Sequence, residues 1–171
     1  YVLVSANYRL SPDPYNDNNA DRIKYPTFTN DAAKAVKWTF DNISQFGGAS
    51  SQIILMGFSA GGNIATTLAL KPDFLYQHNL FPGIIKAVVN LDGAALNIER
   101  LIKDSRGSYK EMLLNAFGNS PEEWRAASPL LNIPDNIYIP KFFLATQTNI
   151  IRRSQFDELS DTLKARGVEH Y

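Results

Sequence analysis

Gln52-Ile53-Ile54-Leu55-Met56-Gly57-Phe58-Ser59-Ala60-Gly61-Gly62-Asn63 decides how this chain folds. Residues 52–56 are an apolar run of strand length, and Gly57 to Gly61 fit the pattern G-x-S-x-G. Behind them, 63–70 carry Ile64, Leu68 and Ala69 at helical spacing and stop at Lys71-Pro72. A strand, a sharp turn and a helix are the setting this pattern requires. The turn predicts a strained backbone at Ser59, with glycines at 57 and 61 so that strand and helix pass closely. Ser59 would stand at the carboxyl end of a strand and the amino end of a helix, where N–H groups lack intrahelical partners. That makes Ser59 the candidate nucleophile and the Ala60 N–H a candidate oxyanion donor. The five-residue pattern alone also occurs in ordinary loops; the flanking strand and helix give it its weight.

Working outward, apolar and polar stretches alternate. Residues 1–8 are apolar and β-rich and read as a buried strand, followed by a polar, Pro-containing loop over 10–26. Ala32, Val36, Phe40 and Ile43 predict a helix over 30–46, with Thr29 as N-cap, Asp31 at its positive end and Gly47-Gly48 ending it. Residues 84–91 are a second continuous apolar run, closed by Asp92-Gly93. Ser108 to Glu111 read as a capping box opening one short helix, and Ser120-Pro121-Glu122-Glu123 open another. Residues 96–134 therefore read as a cap or insertion within one domain, 1–171. Residues 141–146 are the last clear strand, and 154–166 the last helix, capped by Ser154 with Asp157 three residues on. Strands alternating with helices imply a parallel sheet covered on both faces, a three-layer α/β sandwich. The chain opens in mid-strand and stops soon after Gly167, so that fold is expected to be incomplete at both ends.

Composition narrows the partners. With 17 basic and 17 acidic residues the formal charge is zero, which argues against nucleic acid or an anionic membrane surface. No cysteine is present, so disulfides and thiolate metal sites are excluded. No apolar run reaches membrane-spanning length, no residues have metal-ligand spacing, and no Gly-rich phosphate loop follows a strand. No cofactor is expected, and nothing in the sequence fixes an oligomeric state.

Several blocks together resemble the α/β-hydrolase fold, and within it the small carboxylesterases related to hormone-sensitive lipase and to bacterial feruloyl-esterase-like and formamidase-like enzymes. They are Val4 to Pro12, Asp31-Ala32-Ala33 through Trp38, Phe46-Gly47-Gly48, Ile54 to Asn63, Val89 to Ala94, Trp124 to Leu130 and Leu163 to Val168. The resemblance implies a serine hydrolase cleaving a small ester through an acyl-enzyme on Ser59, with acid and then histidine following in the chain. It places an oxyanion loop ahead of residue 1 and the histidine after the strand that would follow Gly167, both outside these residues. It places the acid after strand 141–146, yet Gln147-Thr148-Asn149-Ile150-Ile151-Arg152 holds no carboxylate. Asp92 is the candidate acid, since it ends a core strand; an ordinary Asp-Gly turn explains it equally well. His170 and His78 read as strand or surface residues, Arg152-Arg153 as solvated, and Trp38 and Trp124 as packing residues. Two rivals stand beside the esterase: a catalytically inactive hydrolase-like binding protein, and a partial polypeptide without activity of its own.

Overall fold

The computed structural model describes residues 1–13 and 21–171; part of the loop expected over 10–26 lies outside them. Three parallel strands, β1 (Ile53–Phe58), β2 (Ile85–Leu91) and β3 (Lys141–Ala145), form a sheet in that order. Helix α1 (Thr27–Asn42) precedes β1. The crossover from β1 to β2 holds α2 (Ala60–Leu70) and α3 (Asp73–Tyr76). The crossover from β2 to β3 holds α4 (Ile98–Asp104), α5 (Gly107–Phe117) and α6 (Pro121–Ala127), and α7 (Ile150–Ala165) follows β3. Residues 169–171 begin a fourth parallel line beside β3. There the Phe142 N–H donates to the Glu169 carbonyl (3.1 Å) and the Leu144 N–H to that of Tyr171 (2.8 Å). No helix among the described residues is long and apolar enough to cross a membrane.

Register sorts the sheet into two faces. Leu55, Val88 and Phe142 share the face on which α2 packs, and Val88 and Phe142 are fully buried there. Phe156, Leu159 and Leu163 of α7 and Leu101 and Ile102 of α4 join the same core. The other face carries Ile54, Met56, Phe58, Val89 and Phe143, with Met56 67% and Phe58 70% exposed. The apolar continuity of these strands is that of a sheet buried on both sides; among the described residues only one side is.

Several expected elements fall differently. Residues 1–8 do not form the buried strand, and Tyr1 and Leu3 are exposed. A strand needs a hydrogen-bonded neighbour, and none of the described strands pairs with this segment. Just beyond it, Arg9 is tied to α1, its Nε and Nη2 donating to the Asp31 carboxylate at 2.8 and 2.7 Å, and Tyr8 packs against the core. That hydrogen-bonded guanidinium pulls the Asp31 pKa down to about 2. Helix α1 starts before Thr29, because Phe28 inserts edge-on between Tyr25 and Phe117 and draws the first turn into the core. Thr29 is then buried inside the helix with its hydroxyl unpartnered rather than capping it. Ser108 does not cap α5, whose N-cap is Arg106; the box at Ser120 and Glu123 does form, with reciprocal bonds of 3.3 and 3.1 Å. Helix α7 begins at Ile150 rather than at 154, because the Asn149 side chain accepts from the N–H groups of Ile151 and Arg152. Trp38 is half exposed against Phe46, while Trp124 is partly buried and donates its indole N–H to the Gly118 carbonyl at 2.8 Å.

Candidate active site

The carboxyl ends of the three strands lie side by side. Phe58 is level with Leu91 and Leu91 with Ala145, so Ser59, Asp92 and Thr146 follow one another across the sheet edge. Adjacent strands are about 4.8 Å apart, which makes Ser59 and Asp92 neighbours. Backbone bonds lock this row: the Ser59 N–H donates to the Leu91 carbonyl (2.8 Å) and the Asp92 N–H to that of Ala145 (2.6 Å).

Ser59 has φ 51 and ψ −115, a conformation that costs an L-residue on the order of 1–3 kcal/mol. The strained turn lets β1 pass directly into α2, and Ser59 becomes the helix N-cap without using its hydroxyl to cap. That hydroxyl is left free, and the Ala60 N–H sits in the first turn, where α-helical geometry gives it no acceptor. Close passage depends on glycine, at one of the two positions expected from the sequence and at one that was not. A Cβ on Gly57 would lie 2.2 Å from the Gly61 carbonyl carbon, so Gly57 is required. A Cβ on Gly61 would meet nothing within 4 Å. The crowded partner is Gly62, whose Cβ would fall 2.4 Å from Asn90 Oδ1. Gly62→Ala should therefore cost about 1–3 kcal/mol by overpacking. Gly61→Ala should be neutral or gain up to about 1 kcal/mol of helix propensity. Paired denaturant melts check the opposite signs.

Asp92 is buried, adopts φ 58, and has both carboxylate oxygens occupied. Oδ1 accepts from the Thr146 hydroxyl (2.9 Å) and Arg152 Nε (3.2 Å), and Oδ2 from Gln147 Nε2 (2.5 Å). Arg152 Nη2 lies 3.1 Å from Oδ2 and also donates to the Asp92 carbonyl at 3.0 Å. Burial alone would raise this carboxyl's pKa; the bonds from Gln147 and Thr146 and the Arg152 charge outweigh it and hold the pKa below the usual aspartate value. Arg152, expected to be solvated, is instead the counter-ion of the site, with its side chain only 21% exposed. Burial pushes the nearby Tyr109 phenol above its ordinary pKa, the Arg152 charge opposing and the Asp92 charge reinforcing.

Neither histidine reaches this edge. His170 bridges to Phe142, four residues before the level of Thr146 and three strand spacings from β1, which is roughly 20 Å from Ser59 by strand geometry. Its Nδ1 lies 2.9 Å from the Val168 carbonyl and its Nε2 2.8 Å from Ser160 Oγ. His78 lies past the far end of α2, more than about 15 Å away at 1.5 Å per helical residue. Among the described residues no group of three or more His, Cys, Asp or Glu is placed to hold a metal. Two surface cavities, one along α7 beside Arg100 and Asp161 and one beside Tyr138 and Arg166, include none of Ser59, Asp92 and Arg152 in their linings.

A family model described as alpha/beta hydrolase fold matches residues 1–171. The versiconal hemiacetal acetate esterase of Dothistroma septosporum is 32% identical over 119 residues, which are 68% of this chain and 32% of that protein. Carboxylesterase NlhH of Mycobacterium tuberculosis is 35% identical over 68 residues, 40% of this chain and 18% of its own length. Among solved structures, the Pyrobaculum calidifontis esterase superposes with a TM-score of 0.70 at 23% identity, covering 96% of this chain and 53% of that one. The chain thus spans about a third of the first relative's length and about half of that structure.

Proposed function

Because the chain belongs to the alpha/beta hydrolase fold family, in which its esterase relatives support ester hydrolysis, we propose that it carries the nucleophile of a serine carboxylesterase. The observation that carries this reading is the left-handed Ser59 at the junction of β1 and α2, with its hydroxyl uncommitted. A base removes the proton from Ser59 Oγ, which attacks the ester carbonyl carbon. The tetrahedral oxyanion is held by N–H groups that include Ala60, and the alcohol leaves with the proton returned by the base. Water, deprotonated by the same base, then releases the carboxylic acid and frees Ser59. The substrate is a small ester, and residues 96–134, carrying α4 to α6, contribute to the wall of its acyl or alcohol pocket. Since His78 and His170 both lie far from Ser59, the base in this reading comes from polypeptide outside residues 1–171.

For the acid, Asp92 is the carboxylate at this edge. To accept from an imidazole it must give up Gln147 or Arg152, so its first role in this reading is to hold the turn between β3 and α7. The same saturation, with Asn149 serving as a helix cap in the turn where the acid was expected, favours a second reading: a hydrolase-like protein that binds rather than cleaves. A fluorophosphonate probe separates the two in the polypeptide that completes the site. Covalent modification mapped by mass spectrometry to Ser59, and lost in Ser59→Ala, is the expected result. A folded protein that resists the probe would replace the esterase by the binding protein.

A further inference from the structure

Asn90 interrupts an otherwise apolar stretch of β2, and it is completely buried. Its side chain makes three hydrogen bonds. Nδ2 donates to Thr66 Oγ1 on α2 (2.9 Å) and to the Gly93 carbonyl (3.2 Å), and Oδ1 accepts from the Gly93 N–H (2.8 Å). The carboxamide is therefore wedged between the first turns of α2 and the bend leaving β2. The fit is tight on both sides: a Cβ on Gly62 would approach Oδ1 to 2.4 Å, and one on Gly93 to 2.6 Å. Around this wedge, Asn63 Nδ2 donates to the Ala95 carbonyl at 2.5 Å, and the Asn63 N–H closes back on the Ser59 carbonyl at 3.1 Å. A buried amide left half-paired is costly, so a core strand holds one only where every polar atom is satisfied, as here.

We propose that Asn90 is the positioning residue of the elbow. It sets the depth at which α2 meets β2, and with it the placement of Ser59, the Ala60 N–H and the left-handed Asp92. This rests on the reading of Ser59 as nucleophile. The effect on chemistry follows from geometry: the attacking oxygen and the oxyanion donor must be held together to well under an ångström, and a 1 Å misplacement costs about 10²-fold in rate. Asn90 is tied to α2 through Thr66 and to the bend after Asp92 through Gly93, while lying one strand away from Ser59. Asn90→Asp keeps the size and the acceptor for the Gly93 N–H, but removes both donated bonds and sets an oxygen against the Gly93 carbonyl. Thr66→Val removes the α2 tie alone.

The test has two arms. In the 171-residue chain, amide exchange at Ser59, Asn63, Gly93 and Ala94 is expected to accelerate about tenfold or more in Asn90→Asp, with β3 amides unchanged. In the polypeptide that completes the site, kcat for p-nitrophenyl acetate is expected to fall about 10- to 100-fold in Asn90→Asp, with KM within about threefold. Thr66→Val should give a smaller fall in kcat, and Thr66→Ser, which keeps the hydroxyl, should restore it. Rates are compared per folded molecule, well below each variant's melting temperature. Unchanged exchange, or a kcat within about twofold of the parent for Asn90→Asp, would overturn the proposal. Ser59→Ala is run alongside: retained turnover there would remove the nucleophile reading, while the exchange arm would still decide whether Asn90 holds the elbow.

Discussion

Residues 1–171 alone are expected to hydrolyse p-nitrophenyl acetate at least about 10⁴-fold more slowly than an esterase with a complete triad. Ser59→Ala should change that residual rate little. A serine hydroxyl is a poor nucleophile until a base within hydrogen-bond reach takes its proton. The two histidines of this chain lie roughly 20 Å and more than about 15 Å from Ser59 by strand and helix geometry. His170 is moreover anchored at the opposite end of β3, between the Val168 carbonyl and Ser160. Bringing it to Ser59 would mean unzipping residues 169–171 from β3 and breaking both contacts. No loop movement of the described residues substitutes for that. Turnover should be measured on the purified chain with Ser59→Ala as background. Rapid turnover abolished by that substitution would mean that a base had been found within these residues.

The second large effect concerns Asp92. Asp92→Asn is expected to destabilise the fold by about 3 kcal/mol, near the lower end for breaking a buried ion pair because Arg152 keeps some solvent contact. For a domain of this size that is a drop of roughly 6–12 °C in melting temperature. The cause is Arg152, whose guanidinium loses its counter-ion but stays close to the Asp92 carbonyl. Replacing both charges, as in Asp92→Asn with Arg152→Met, should recover much of the loss, since the orphaned charge is what costs. The pH dependence has a definite sign. The folded-state pKa of Asp92 lies below that of the unfolded chain, so its stabilisation is complete above the unfolded value of about 3.9 and is lost as pH falls towards the folded value. The acid-melting curve of Asp92→Asn should accordingly be flatter than that of the parent below about pH 4. If the completed enzyme instead lost about 10⁴ in kcat with its melting temperature intact, Asp92 would be the triad acid and the anchoring role would fail.

Much of this was readable from residues in order, and the reasons are local. The strand–turn–helix around Ser59 is contiguous in sequence, and so are the apolar runs that became β2 and β3. The box at Ser120 and Glu123 closes within one helical turn. What escaped was set by partners far apart in the chain. The Asp92–Arg152 pair joins two elements across the sheet edge, and no periodicity reveals it. Helix α7 starts at Ile150 rather than at Ser154 because the Asn149 side chain accepts from the N–H groups of Ile151 and Arg152. Residues 1–8 have strand composition, but a strand is a property of a pair. Asn90 did leave a trace: a carboxamide within an apolar core run must be satisfied by something, and its partners Thr66 and Gly93 flank the elbow.

The parallel order of the strands also sets when the sheet can assemble. Antiparallel neighbours can meet through a tight turn, whereas β1 must wait for α2 and α3 before β2 is available, and β2 for α4, α5 and α6 before β3 is. Each pairing closes a long loop and bears its entropy before the contacts repay it, which slows folding. Until β2 arrives, the strand carrying Ser59 has no hydrogen-bonded neighbour among the three. The strained serine conformation, held by the Leu91 carbonyl, is thus fixed only once the first of these long loops has closed.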